Sequence, residues 1–157
     1  MFQHPKFPLA SDTINEEDIE SLIIWLRKKE RLSKGELTIE FERKWAKKIG
    51  TKFAINVNSG SSANLLMAYA SILSLFPKKK LNVVVPSVGW ATTVSPFMQL
   101  AGIDKIFMCE TDEATFAIDI GSLEEILKKE HIDIVIFVQV LGVPANNIYR
   151  LKKLQKE

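Results

Sequence analysis

Residues 56–70 read NVNSGSSANLLMAYA and join two kinds of pattern at one point. Residues 52–57 have the apolar pattern of a short strand, and residues 61–75 have the pattern of a helix. A cluster typical of tight turns and helix N-termini lies between them: Ser59, Gly60, Ser61 and Ser62. The stretch therefore predicts a strand that leads into a helix through a loop rich in hydroxyl groups.

The same strand-to-helix order recurs along the rest of the chain. Three further apolar runs predict strands, each followed by a helical pattern: strands 81–85, 104–109 and 132–139, with helices at about 90–101, 122–131 and from Ala145 onward. The run at 132–139 is β-branched and almost continuously apolar, which indicates burial on both faces. Four such alternations predict an α/β fold, a three-layer sandwich around a mostly parallel sheet. Helix 61–75 is expected to pack on the sheet through Leu65, Leu66 and Tyr69.

Two helices, 15–29 and 36–49, are predicted before the first strand. Asn15 is a preferred N-cap residue, and the acidic residues that follow it suit the positive end of a helix dipole. Gly50 is the residue type that most often ends a helix. The chain is therefore predicted to consist of a helical segment, residues 1–50, and an α/β domain, residues 51–157.

The composition is that of an ordinary globular protein. Of 157 residues, 46% are hydrophobic and 25% charged, and the net charge of +2 gives no reason to expect nucleic acid or a membrane as a partner. The single cysteine, Cys109, cannot form an internal disulfide and lies in a predicted strand, so we expect a core residue and a reducing compartment. No apolar run has the length of a signal peptide or a membrane span, and we expect a cytoplasmic protein. The sequence suggests no metal site.

The hydroxyl-rich loop has two physical interpretations. The free N–H groups and the dipole of a helix's first turn attract an anion, and Gly60 would let a phosphate approach closely. Alternatively, a serine simply caps the helix. The chain lacks the signature of a phosphate-binding P-loop or of a dinucleotide site, which favours an isolated phosphate monoester over a nucleotide.

A second candidate feature, an aromatic residue, follows the next predicted strand, in the stretch PSVGWATT, residues 86–93. The side chain of Trp90, at the mouth of a helix, could lie flat against an aromatic ligand ring. It could equally pack into the core.

Three stretches in this order, NSGSSANLLM, VPSVGWATTVSPFMQLAG and IFVQVLGVPANN, make the sequence resemble a known family. The upstream stretches FPLASDTINEEDIESLIIWL and IEFERKWAKKIGTKFAINV fit the same family. The resemblance is to the N-terminal half of the large domain of the DegT-type (DegT/StrS) sugar aminotransferases. These are fold type I enzymes that depend on pyridoxal 5′-phosphate (PLP) and act on nucleotide-linked keto-sugars.

The resemblance implies a PLP site at the carboxyl ends of the strands. Ser61 and Ser62 would bind the cofactor phosphate, and Gly60 would permit its approach. Trp90 matches the aromatic residue that stacks on the pyridine ring. Gln139 stands where many members have His, which is a departure from the family pattern.

The family's catalytic groups lie beyond this segment. The lysine that binds the cofactor covalently and the acid that contacts the pyridine nitrogen both occur C-terminal to it in the family. The resemblance therefore implies a partial large domain, truncated at its C-terminus, with no catalytic residue in this chain and no transamination by it alone. It also implies a homodimer, a nucleotide-sugar substrate and an amino-acid donor.

Three functions remain open at this point. The main interpretation is an aminotransferase of surface polysaccharide (including lipopolysaccharide) or deoxyaminosugar synthesis. The second is a PLP-dependent 4-keto-6-deoxysugar 3-dehydratase of the same fold, in which His replaces the lysine. The stretches NVNSGSSANLL and TTVSP favour the dehydratase, whereas Trp90 favours the aminotransferase. The third is a non-catalytic binding protein that keeps only the fold. An unrelated nucleotide binder is disfavoured because no glycine-rich fingerprint follows any strand.

Overall fold

The computed structural model of the protein describes residues 11–75, 80–145 and 148–156. Its internal contacts divide the chain into two units, with the boundary between Asn56 and Val57 in the sequence. The predicted organisation into domains, with a boundary after residue 50, stays a prediction.

The first unit contains two helices, α1 (Glu16–Arg27) and α2 (Glu36–Ile49). Asn15 caps α1 as predicted, since its side chain accepts a hydrogen bond from the backbone N–H of Asp18, 3.0 Å away. The Asp18 carboxylate in turn accepts from the Asn15 N–H, which completes a capping box. Gly50 ends α2 with a left-handed φ of 73°, a conformation that glycine adopts without steric cost.

The second unit alternates helices and strands. Its elements are α3 (Gly60–Ser74), β1 (Leu81–Pro86), α4 (Ala91–Gln99), β2 (Ile103–Cys109), α5 (Ile120–Lys129), β3 (Ile134–Val135), a 3₁₀ turn (Val140–Gly142) and α6 (Ile148–Leu154). None of the helices in the described ranges is long and apolar enough to cross a bilayer.

The three strands form one sheet in the order β2-β1-β3, and both pairings are parallel. Val84 of the central strand lies opposite Phe107 of β2 and Val135 of β3. Strands 81–85 and 104–109 are therefore confirmed, each with one further residue at one end.

Side chains of the central strand point alternately into two apolar layers. Val83 and Val85 pack with Ala68 of α3 and Phe97 of α4 on one face. On the other face, Val84 packs in a second cluster with residues of α5 and α6: Leu123, Ile126, Leu127, Leu151 and Leu154. The sheet is thus covered by helices on both sides, and the predicted three-layer α/β fold is confirmed.

The predicted strand 52–57 does not form. Residues 51–57 have no strand structure, and Phe53 and Ile55 are each 74% exposed. The backbone N–H of Asn56 donates to the Glu42 carboxylate, 2.8 Å away, rather than to another strand. Alternating apolar residues form a strand only where a neighbouring strand can pair with them, and here the backbone pairs with a side chain instead.

The predicted strand 132–139 is much shorter than its apolar run. Only Ile134 and Val135 form the ladder, which backbone bonds extend by one residue on each side, from Asp133 to Asn82 and from Ile136 to Val84. The side chains of Ile136 and Phe137 still alternate between the two apolar clusters. The apolar pattern therefore reflects burial between two helical layers more than it reflects pairing.

The packing face predicted for α3 is also wrong. Leu65, Leu66 and Tyr69 are between 44% and 50% exposed. The buried face instead consists of Ala68 and Ile72, four residues apart, which pack in the cluster beneath β1. The middle of α3, LLMAYA at residues 65–70, is apolar or aromatic on every side and gives no period from which the buried face can be identified.

We expect the buried leucine of α5 to stabilise the fold. Leu123 is fully buried, so Leu123→Ala should lower the free energy of unfolding by about 2–5 kcal/mol through lost burial and a cavity. Leu141→Ala is the control, because Leu141 is 87% exposed. Urea unfolding followed by circular dichroism measures both, and equal midpoints for the two variants would contradict the described core.

Candidate site at the carboxyl edge of the sheet

The segments that leave β1 and β2 are joined to each other. The Ser87 N–H, directly after β1, donates to the carbonyl of Cys109 at 2.8 Å. The hydroxyl oxygens of Ser87 and Thr111 lie 3.3 Å apart, and the Val88 N–H donates to the Thr111 hydroxyl at 3.4 Å. These bonds build one continuous rim from the loops where ligands of parallel sheets usually bind.

At the N-terminus of α3, Ser59 is the capping residue. Its hydroxyl accepts from the Ser62 N–H at 3.1 Å, and the Ser62 hydroxyl donates to the Asn58 side-chain oxygen at 2.7 Å. The hydroxyls of Ser59 and Ser62 are also within hydrogen-bond distance, at 3.2 Å. The cap interpretation thus holds for Ser59, and the Ser62 hydroxyl belongs to the same network.

Gly60 and Ser61 are left open by this network. Both lie in the first turn of α3, and the described residues offer no hydrogen-bond acceptor for their backbone N–H groups. Ser61 is exposed, and a Cβ built on Gly60 would have no atom within 4 Å. Two N–H groups and one hydroxyl therefore face open space at the positive end of a helix, an arrangement that suits a phosphate.

Trp90 lies directly before α4 and is 74% exposed. The core-packing interpretation of this residue is therefore wrong. An exposed indole at a helix start offers a flat apolar surface to a ligand.

A side-chain hydrogen bond links the beginnings of α3 and α4. The Asn64 side-chain amide, one turn into α3, donates to the hydroxyl of Thr92 in the first turn of α4 at 3.2 Å, and both residues are partly buried. The structure thus brings the beginning of α3, with Ser61 and Ser62, to the beginning of α4, next to Trp90. Sequence reasoning missed this pair, although an asparagine inside an apolar helix is a recognisable signal.

Gln139 follows β3 on the same side of the sheet as the ends of the other strands. It is exposed, in extended conformation, and precedes the 3₁₀ turn. In the described part of the chain no side-chain hydrogen bond joins Gln139 to the α3 loop or to Trp90, so the site includes it by topology only.

The turn after β2 is held by Asp112. Its carboxylate accepts from the N–H groups of Ala114 and Thr115 at 2.9 Å each, and from the Thr115 hydroxyl at 3.1 Å. The bonds from Thr115 are the main reason why the pKa of Asp112 is lowered from its usual range. Phe116 in this turn has a φ of 56°, an uncommon conformation for an aromatic residue.

Cys109 has the role predicted for it. The residue is fully buried, and burial raises the pKa of its thiol, while a hydrogen bond with Ser122 acts in the opposite direction. A neutral buried thiol is a core group rather than a nucleophile.

A cleft of about 1170 Å³ lies on the other face of the sheet, away from the predicted site residues. Its lining comes from α5, β3 and α6 and includes Leu123, Phe137 and Arg150. None of Gly60, Ser61, Ser62, Trp90 or Gln139 lines this cleft. Within the residues that the structure describes, no cluster of side chains is suited to a metal ion.

Residues 12–157 match the model of the DegT/DnrJ/EryC1/StrS aminotransferase family. The chain belongs to this family. Its members depend on PLP, and its structural neighbours have the fold type I architecture.

Two curated relatives are similar to nearly the whole chain, and both are GDP-4-keto-6-deoxy-D-mannose 3-dehydratases. The protein from Escherichia coli O55:H7 is 35% identical over 94% of this chain, and the one from Yersinia pseudotuberculosis is 34% identical over 88%. The matches cover 37% and 35% of the relatives, so the chain spans little more than a third of their length.

Solved structures of the same enzyme are similar in fold. The E. coli GDP-4-keto-6-deoxy-D-mannose 3-dehydratase with bound hydrated PLP has a TM-score of 0.81 and 32% identity, over 96% of this chain and 38% of the other. A variant with bound GDP-perosamine has a TM-score of 0.79 and 32% identity, over 95% and 38%. A more distant neighbour from Streptococcus pneumoniae, in its pyridoxamine-phosphate form, is 22% identical with a TM-score of 0.74 over 94% and 35%, which shows the fold alone.

The two serines that flank Gly60 should behave differently on substitution. Ser59→Ala removes the α3 cap and should lower the free energy of unfolding by about 1 kcal/mol. Ser61→Ala, the matched control, removes a hydroxyl without a hydrogen-bond partner in the described residues and should change it by less than about 0.5 kcal/mol. Thermal or urea unfolding of both variants measures this, and an equal loss would contradict the described cap.

Proposed function

We propose that this chain is the part of a nucleotide-sugar 3-dehydratase that holds the phosphate and the ring of PLP. The observation that carries the proposal is the 34–35% identity to two 3-dehydratases along nearly the whole chain. The same similarity favours the dehydratase over the aminotransferase as the reaction class. The substrate would be a GDP-linked 4-keto-6-deoxysugar, by analogy with these relatives.

The beginning of α3 fits the phosphate group of PLP. The N–H groups of Gly60 and Ser61 would donate to the phosphate oxygens, together with the Ser61 hydroxyl. Ser62 would act through the cap, because its N–H and hydroxyl already bind Ser59 and Asn58. A phosphate dianion would also be stabilised by the helix dipole.

Trp90 would cover one face of the pyridine ring, and Gln139, which follows β3, would lie at the same edge of the sheet. PLP supplies an electron sink for bonds of the substrate, and the protein supplies orientation. In this division of labour the described residues bind and orient the cofactor, and none of them transfers a proton. The rim bonds of Ser87 and Thr111 keep the loop that carries Trp90 in place.

The complete enzyme would carry further properties that the family resemblance implies. We propose a cytoplasmic homodimer that acts in the synthesis of surface polysaccharides, such as lipopolysaccharide, and uses an amino-acid donor as a second partner. The aminotransferase remains the second candidate, because Trp90 resembles the ring-stacking aromatic residue of that branch.

The residue at the family's lysine position separates the two reaction classes. In the family this position lies C-terminal to the segment seen here. We expect the gene to encode His rather than Lys there, because both curated relatives described above are dehydratases. Sequencing the gene downstream of the Glu157 codon measures this, and a lysine at that position would favour the aminotransferase.

The phosphate site can be tested by placing a negative charge in it. Ser61→Asp should abolish binding of pyridoxamine 5′-phosphate to the purified chain, because two negative charges would meet at the open first turn of α3. Pyridoxamine 5′-phosphate is the suitable probe, since it lacks the aldehyde that reacts with exposed lysines. Equilibrium dialysis with detection of cofactor absorbance measures the dissociation constant.

Two further variants complete this experiment. Ser21→Asp adds the same charge on the exposed surface of α1 and should leave binding unchanged. Trp90→Ala should weaken binding without abolishing it, since a stacked aromatic pair contributes about 0.5–1.5 kcal/mol beyond area burial. If Ser61→Asp binds as well as the parent protein, the phosphate site is wrong and Ser61 is only part of a helix start.

A further inference from the structure

The hydrogen bond between Asn64 and Thr92 has no part in the binding contacts described above. We propose that it is a positioning contact, which sets the spacing between the phosphate-binding start of α3 and the ring-binding Trp90. This inference rests on the proposed function, because it concerns how one ligand would contact both places at once.

The location of the pair is the first argument. Asn64 lies one helical turn after Gly60, and Thr92 lies two residues after Trp90. Helix side chains lean toward the N-terminus, so the Asn64 amide extends toward the turn that would hold the phosphate. The bond of 3.2 Å therefore joins the two helices close to the ends that would contact the ligand.

The second argument is that the apolar core shared by these helices lies deeper than their first turns. Ala68 and Ile72 of α3 share one apolar cluster with Val94 and Phe97 of α4. Apolar packing is not directional, so it allows the helix starts to shift relative to each other. A hydrogen bond restricts both distance and angle, and within the described ranges Asn64–Thr92 is the side-chain hydrogen bond that joins α3 to α4.

The third argument concerns the residue types. Asparagine is a poor helix former, and alanine or leucine would suit the position of Asn64 inside α3 better. The side chains of Asn64 and Thr92 are both partly buried, where a polar group requires a partner. Helix propensity therefore disfavours Asn64 at this position, whereas a site that must keep two helix starts at a fixed distance would use such a polar pair.

A ligand that touches both helix starts should depend on this bond more than one that touches a single start. Pyridoxamine 5′-phosphate would contact the α3 turn and Trp90 together, and a fixed spacing would lower the entropy that binding costs. Inorganic phosphate would contact the α3 turn alone. The proposal therefore predicts that loss of the Asn64–Thr92 hydrogen bond lowers the affinity for pyridoxamine 5′-phosphate and leaves the affinity for inorganic phosphate unchanged.

The experiment compares both ligands on matched variants of the chain. Thr92→Val keeps the shape of the side chain but removes the acceptor. It should lower the affinity for pyridoxamine 5′-phosphate roughly two- to tenfold, the range of one net hydrogen bond. Affinity for inorganic phosphate should stay within twofold, a margin of about 0.4 kcal/mol.

Thr92→Ser keeps the hydroxyl and should bind like the parent. Thr93→Val is the control, because no hydrogen bond of the Thr93 hydroxyl is found in the described residues. Asn64→Leu removes the donor and should repeat the result of Thr92→Val.

Each outcome has a defined meaning. The inference would be overturned if the Thr92→Val and Asn64→Leu variants bound pyridoxamine 5′-phosphate as tightly as the parent protein. An equal loss for both ligands, which indicates general damage to α3, would also overturn it, as would a failure of Thr92→Ser to recover binding. A parent protein that binds pyridoxamine 5′-phosphate no better than Ser61→Asp contradicts the proposed function itself, and this inference with it.

Discussion

Burial of β1 on both faces is the constraint on which the second unit depends. Val83, Val84 and Val85 are fully buried, and their side chains alternate between the α3–α4 layer and the α5–α6 layer. A strand without a solvent-exposed face requires a neighbour on each edge for its backbone, which β2 and β3 supply. Pro86 is the last residue of β1 and has no N–H to donate, but the Ser87 N–H that follows it still bonds to the Cys109 carbonyl at the end of β2.

The candidate site depends on a pair of helices more than on a loop after a strand. No strand precedes α3 in the described structure, so the position of its N-terminus follows from packing against α4 and β1. Ala68 is almost fully buried in this contact, and its small side chain suits a close approach of α3 to its neighbours. The open N–H groups at Gly60 and the exposed indole of Trp90 thus stand on two helices that share one core, as the proposed binding of a single ligand at both places requires.

The proposed division of work between binding and chemistry fits the residues in this chain. The described site offers hydrogen-bond donors, a helix dipole and an aromatic surface, which are groups suited to orienting the cofactor in the proposed function. The buried Cys109 thiol is unsuited to covalent chemistry, and Asp112 is committed to its own turn. These side chains would bind a cofactor without showing which reaction it serves. The proposed reaction class therefore rests on sequence similarity.

The sequence by itself determined the fold class, the strands at 81–85 and 104–109, the Asn15 cap and the family. These features rest on local patterns, such as apolar runs, capping residues and ordered motifs, that need no knowledge of distant partners. Only the tertiary structure decided that residues 52–57 form no strand and that most of 132–139 remains outside the ladder. Strand formation needs a paired edge, and the sequence does not say where such an edge lies. It also decided that Ser59 rather than Ser61 caps α3, that Trp90 is exposed, and that Asn64 meets Thr92. Each of these outcomes depends on which atoms lie within hydrogen-bond or packing distance of one another, and only folding sets those distances. Asn64 and Thr92, for example, are 28 residues apart in the sequence.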